Sequence, residues 1–236
     1  MGGTDPRPAL ADAPCAFRVL DAGGGALPLA AARNLAAAST DARQLVFLDV
    51  DCVPAPGLVR AYRKALETRP ALLLGDVRYL AREWAGDPST LESSSHPHPA
   101  RPPAERREAA APELLWSLSF AVDRECWLRT GGFDEAYAGY GAEDTDLGFS
   151  ARARGVAIER IPGAVAYHQW HESFDPPLQH LASIVDNARR FHAKWGSWPM
   201  GGWLRAFADA GLVDWDDDRL LLLREPTPAE LAAARS

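Results

Sequence analysis

Five carboxylates in two short clusters dominate the chemistry available to this 236-residue chain. Asp49 and Asp51 close the run Phe47-Leu48-Asp49-Val50-Asp51. Glu143, Asp144 and Asp146 sit in the glycine-bracketed stretch Gly139-Tyr140-Gly141-Ala142-Glu143-Asp144-Thr145-Asp146. Aspartates at i and i+2 on extended backbone share one face and can meet one divalent cation. Such a cation neutralises charge that develops on a leaving diphosphate. A carboxylate in the second cluster, made more basic by desolvation or by its neighbour, takes the proton of an incoming hydroxyl. Together these groups are the minimum apparatus for moving a sugar from a nucleotide onto an alcohol. The bland alternative for Glu143, Asp144 and Asp146 is stabilisation of a helix N-terminus, about 0.3–1 kcal/mol per charge.

Other residues extend this reading. Arg33, with Asn34 beside it, follows a glycine loop and suits a phosphate; an exposed arginine is the alternative. His168 ends a predicted strand and is the expected third metal ligand beside the aspartates, with His171 as the fallback. A buried histidine bonded to backbone is the competing reading. Gly139 and Gly141 would let backbone approach a ligand, Tyr140 would pack on a sugar face, and Trp116 and Trp170 would line an acceptor sugar. His96 and His98 have metal-like spacing, but the prolines around them predict a solvated loop. His180, His192, Trp195, Trp198 and Trp203 are expected to be structural, and Cys52 to pack.

The elements that must position these groups follow from periodicity. Residues 1–16 are expected to be loosely ordered. Phe17–Leu20 predicts a strand, Gly23–Gly25 a loop, and Leu29–Ala38 an alanine-rich helix with Pro28 in its first turn. Leu45–Leu48 predicts a strand buried on both faces. A helix over 57–67, a strand at 71–74 with 77–80 as its continuation or a hairpin arm, and a long loop over 82–113 come next. Residues 115–122 alternate as a strand, and Asp123 caps a helix running to Arg129. Asp144–Arg154 predicts a helix stopped at Gly155, with strands at 156–161 and 164–167 on either side of Pro162-Gly163. A stripe of Leu178, Leu181, Val185, Ala188, Phe191 and Trp195 marks a long helix. Alternating strands and helices imply an α/β fold with a mostly parallel, Rossmann-like sheet flanked by helices. The expected divisions are a flexible N-terminus (1–16), a catalytic domain (17–176), a helical C-terminal subdomain (177–213) and a tail (214–236) in which the acidic run Asp214–Asp218 forms a solvated turn.

Composition bounds the partners. With 47% apolar residues the chain can bury a real core. Its net charge of −7 argues against a nucleic-acid scaffold. Three scattered cysteines show neither zinc spacing nor a disulfide framework, so a cytoplasmic location is expected. No transmembrane segment or signal pattern is evident, while peripheral membrane contact stays open.

Taken in order, Ala32-Arg33-Asn34, Phe47–Asp51, Gly131-Gly132-Phe133-Asp134-Glu135, Gly139–Asp146, Tyr167-His168, and Asn187–Phe191 through Trp195–Met200 resemble family 2-like glycosyltransferases of the glycosyltransferase-A fold. The C-terminal half is similar to the β-1,4-galactosyltransferase catalytic segment. The resemblance spans roughly residues 17–213. It implies a nucleotide-sugar donor, UDP-sugar being favoured, a carbohydrate or other hydroxyl acceptor, Mn2+ or Mg2+, and inversion at the anomeric carbon. It places Asp49 on the donor, Asp51 and His168 on the metal, Glu143 on the acceptor hydroxyl and Asp144 as general base. Phe17–Leu20 corresponds to that family's third strand, so the fold is expected to be shortened at its N-terminus, without the strands that hold the nucleotide base. The alternative functions are a truncated, non-catalytic sugar-binding or interaction module and a metal-dependent nucleotidyltransferase.

Overall fold

The structure, a computed structural model, describes residues 7–8, 15–23 and 28–235. Most of the expectation for residues 1–16, and Gly24 and Gly25, lie outside those residues. Helix α1 (Leu29–Ala38) forms where the alanine run predicts it, with Pro28 one position earlier, at the N-cap. Residues 17–20 form no strand, and Phe17 and Leu20 are exposed. Arg18 ties this segment to the C-cap of α1 by donating to the Ser39 carbonyl at 2.9 Å.

The main sheet runs in the order β1 (Gln44–Leu48), β6 (Ser119–Asp123), β3 (Leu72–Leu80), β7 (Ile158–His168), β2 (Cys52–Pro54). Two short strands, β4 (Ser95–Pro97) and β5 (Glu108–Ala109), add to β3 and β7. The sheet is mixed, which corrects the expectation of a mostly parallel one. Among the described pairings only β3 with β7 is parallel; β1–β6, β3–β6, β2–β7, β3–β4 and β5–β7 are antiparallel. Hydrophobic runs report burial and not direction, so periodicity could not separate the two.

Side-chain alternation assigns the two faces. Leu72, Leu74, Phe120 and Val122 point to one side, where Phe47 stacks on Phe120 with ring centres 4.4 Å apart. Helices α1, α3 (Arg124–Thr130) and α4 (Glu143–Ala153) cover that side. Leu73 and Ala121 point to the other, covered by α2 (Leu58–Thr68) through Leu58, Tyr62 and Leu66. Strand β1 is buried on one face only, because Val46 is exposed. This overturns the expectation of burial on both faces. The paired runs 71–74 and 77–80 join as one strand, and so do 156–161 and 164–167. Both strands are irregular where Gly75 passes the Ala164 carbonyl: a Cβ on Gly75 would lie 2.2 Å from that oxygen.

The segment 82–113 is not a structureless loop. Its second half is strapped to the sheet: Arg101 donates to the Gly75 carbonyl, the Ala104 N–H to Asp76, and Arg107 to Glu159 at 2.6 Å. Glu159 is buried and also pairs with Arg69. Beyond the sheet, helix α5 (Leu181–Trp195) packs Leu181, Val185 and Ala188 of the predicted stripe with α6 (Gly201–Asp209), while Phe191 and Trp195 pack on Phe149 of α4. The acidic run Asp214–Asp218 joins strands β8 (Val213–Trp215) and β9 (Leu220–Leu222) as a hairpin. Asp216 accepts from the Asp218 and Arg219 N–H groups in its turn. Helix α7 (Pro228–Ala234) closes the chain with a Thr227–Glu230 capping box.

Candidate active site

Asp49 and Asp51 do not share a face. The Cys52 N–H bonds back to the Asp49 carbonyl at 3.0 Å, closing a turn between β1 and β2 that exposes Val50 and sends the two carboxylates apart. Asp49 accepts from Arg33 at 2.8 Å. Asp51 faces His168 at 3.4 Å and His171 at 3.6 Å. The ligand atoms of Asp51, His168 and His171 lie within 4.8 Å of one another, a spacing that suits one cation. Pairing with β2 fixes this arrangement, since Cys52 sits opposite His168 in register. The hydrogen bond with His168 holds Asp51 below the usual carboxylate range, against the opposing effect of burial.

The second cluster divides as well. Gly141 (φ 96°) and Ala142 (φ 72°) turn the chain sharply into α4, and a left-handed alanine is a strained conformation of the kind that gathers at functional sites. Glu143 and Asp144 then lie on the side of Arg33, whose guanidinium reaches Glu143 at 3.4 Å. Burial opposes the charge of Arg33, but Asp49 and then Glu143 outweigh it and raise the group above its ordinary value. Burial, and next the Asp144 charge, push Glu143 up to about 7. Burial also raises Asp144, although it accepts from the Thr145 N–H at 2.7 Å and the Ser117 N–H at 3.4 Å. Of the two, Asp144 is the more open to solvent.

Asp146 belongs elsewhere. It is fully buried and receives Trp195 Nε1 at 2.7 Å, Lys194 Nζ at 2.8 Å and the Tyr137 hydroxyl at 3.1 Å. One residue past Thr145, the helix turns this carboxylate toward α5, where it locks α4 to α5. The cluster of three carboxylates is therefore a pair plus a brace.

Several expected contacts have other work. Asn34 donates to the Phe133 carbonyl and Glu135 and accepts from the Phe133 N–H, so its amide holds the 131–135 turn and is removed from the donor set. Gly139 and Gly141 make room for protein, not ligand: a Cβ would lie 2.6 Å from Ser183 Cβ or 2.9 Å from Met200 Sδ. Asn187, a residue without an expected role, donates to the carbonyls of Ala138, Tyr140 and Gly141 and fixes this loop to α5. Tyr140 stacks on His180 at 4.6 Å and on Trp203 at 6.0 Å, so part of its ring surface is engaged. Burial, then the Asp144 and Glu143 charges, push its hydroxyl up to about 12. Trp116 precedes the Ser117 N–H that reaches Asp144, whereas Trp170 lies under the Arg82 guanidinium at 4.5 Å. Tyr79, also without an expected role, lies 5.2 Å from the His168 ring.

Residues 112–172 match a family described as the N-terminal domain of galactosyltransferase. The chain is similar to glycosyltransferases. Validoxylamine A glucosyltransferase of Streptomyces hygroscopicus subsp. jinggangensis (strain 5008) is 31% identical over 83 residues, covering 34% of this chain and 18% of that protein. Chondroitin synthase of Pasteurella multocida (strain Pm70) is 25% identical over 169 residues, covering 60% of this chain and 18% of that protein. The chain thus spans less than a fifth of these relatives. GalNAc-T7, solved with UDP, GalNAc and Mn2+, superposes with a TM-score of 0.47 at 15% identity, covering 61% of this chain and 31% of that one. Among the described residues no helix is long and apolar enough to cross a membrane.

Proposed function

We propose that this chain is an inverting, metal-dependent glycosyltransferase of glycosyltransferase-A type that uses a nucleotide-sugar donor, UDP-linked by preference, and a hydroxyl acceptor. One observation carries the proposal. Arg33 bridges Asp49 and Glu143, partners 16 and 110 residues away, and so joins the two acidic clusters into one site. The likeness to sugar-transferring proteins over the second cluster agrees with it.

Asp51, His168 and His171 offer one carboxylate and two imidazoles, a donor set that fits Mn2+ better than Mg2+, which prefers oxygen. A bound cation would supply charge neutralisation for a departing diphosphate. Asp49 and Arg33 border the donor. Asp144 is the base: its carboxylate takes the acceptor hydroxyl proton as the acceptor oxygen bonds to the anomeric carbon and the bond from that carbon to the diphosphate breaks. A single displacement of this kind inverts the anomeric centre. Glu143, tied to Arg33, raises the basicity of the pair and orients the acceptor. Tyr140 and Trp116 flank the base on the acceptor side. Keeping a buried Glu143 beside a half-buried Asp144 costs stability, which a non-catalytic sugar-binding module would have no reason to bear.

Asp144→Asn tests the base directly. Transfer should fall by about 10²–10⁴-fold while donor affinity stays unchanged; full turnover by the variant would remove Asp144 from this role.

A further inference from the structure

The ring contacts continue past His171 and His168. His168 lies 5.1 Å from His171 and 5.2 Å from Tyr79; Tyr79 lies 5.8 Å from His98; and His98 meets Trp116 edge-on at 4.8 Å. Trp116 adjoins Ser117, whose N–H reaches Asp144. Tyr79, His98 and Trp116 thus form a run of ring contacts that links the candidate metal ligands to the strand-side neighbour of the candidate base, and the proposed reaction needs a transferred sugar near these two groups.

The orientation of the His98 ring is fixed by a backbone hydrogen bond. Its Nδ1 accepts the Ala100 N–H at 3.1 Å, which leaves the proton of the neutral ring on Nε2. Burial, then the charges of Arg101 and His96, hold the ring below its ordinary value, so it is neutral at pH 7. No protein acceptor takes the Nε2 proton among the described residues. The turn that carries His98 is fixed from behind. The Arg101 N–H bonds the His98 carbonyl at 2.9 Å, and its guanidinium, buried over the Trp116 ring, donates to the Gly75 carbonyl.

We infer that His98 is a specificity residue: its Nε2–H donates to a hydroxyl of the transferred sugar, whose ring packs against Tyr79 and Trp116. This rests on the proposed glycosyltransferase reading. A neutral, oriented donor set among aromatic rings recognises a polyhydroxylated pyranose, with one fixed hydrogen bond choosing the hydroxyl.

Calorimetry of the full chain at saturating Mn2+ tests it, with UDP, UDP-glucose, UDP-galactose and UDP-N-acetylglucosamine as probes against wild type, His98→Phe and His98→Gln. His98→Phe keeps an aromatic ring and deletes the donor; His98→Gln keeps a donor. UDP should bind all three proteins alike. At least one UDP-sugar should bind wild type about fivefold to tenfold more tightly than UDP, an advantage lost in His98→Phe and restored in His98→Gln. The same advantage in His98→Phe, or no sugar-dependent advantage in wild type, would overturn the inference while UDP binding kept the enzyme reading. A folded wild type that bound none of the four would overturn both.

Discussion

At the scale of residues, the site turns on how two adjacent carboxylates share their charge. Glu143 titrates near 7 because burial disfavours its ionised form and Asp144 adds like charge. The folded state therefore holds a proton between about 4.5 and 7 that the unfolded chain has already lost. Stability contributed by this group falls as pH rises through that window. Glu143→Gln should shrink the drop in melting temperature between pH 5 and pH 7.5; an undiminished drop would contradict the buried, proton-holding Glu143. Turnover runs the other way, since the base must be ionised: burial raises Asp144, so kcat should rise with pH along a limb displaced above the ordinary carboxylate range that belongs to the pair. In Glu143→Gln that limb should move to lower pH, read from kcat against pH. The sequence made the residue types legible, and much of the pairing: Asp51 with His168, Glu143 beside Asp144. It could not reveal that Asp146 turns away, because only the packing of Trp195 and Lys194 from α5 decides where that carboxylate points. Nor could it reveal the commitment of Asn34, whose partners lie 99 and 101 residues away.

At the scale of elements, the loop 138–141 is the part most dependent on a neighbour. Asn187 satisfies three of its carbonyls from α5, and both flanking glycines are needed where side chains would collide with Ser183 and Met200. Asn187→Ala removes the donor that these three carbonyls share and should cost about 1 kcal/mol in denaturant unfolding. It should also lower kcat, because Tyr140 and the turn into α4 lose their support. Normal stability and normal kcat would show that the loop needs no brace. Helices with clean apolar stripes, such as α5, were legible from spacing. The strands were legible as strands but not in their direction or partners; of the two readings open for 77–80 the continuation of 71–74 holds, and the apparent break at Pro162-Gly163 is an irregularity inside one strand.

At the scale of the whole molecule, the strap over residues 101–109 is tied to β3 and β7 of the sheet. It couples the Arg101 turn, behind Trp116, to the Glu159–Arg107–Arg69 cluster at the end of α2. Arg107→Ala leaves Glu159 with Arg69 alone and also removes the bonds to the Ala65 and Arg69 carbonyls, so it should destabilise the chain by about 1–3 kcal/mol, measured by thermal unfolding. An unchanged melting temperature would mean that the strap is not held there. Composition foretold a loop of low regularity over 82–113, but not that its arginines would find Glu159 and Gly75, since ion pairs of this kind leave no periodic trace. The central claim is that Asp51, His168 and His171 hold a cation that binds the donor diphosphate. Its most direct test is calorimetric titration of UDP into the wild type and Asp51→Ala, each with and without Mn2+. The wild type should bind UDP only when Mn2+ is present, and Asp51→Ala should lose that binding. Metal-independent UDP binding, or equal Mn2+-dependent binding by the folded variant, would contradict it.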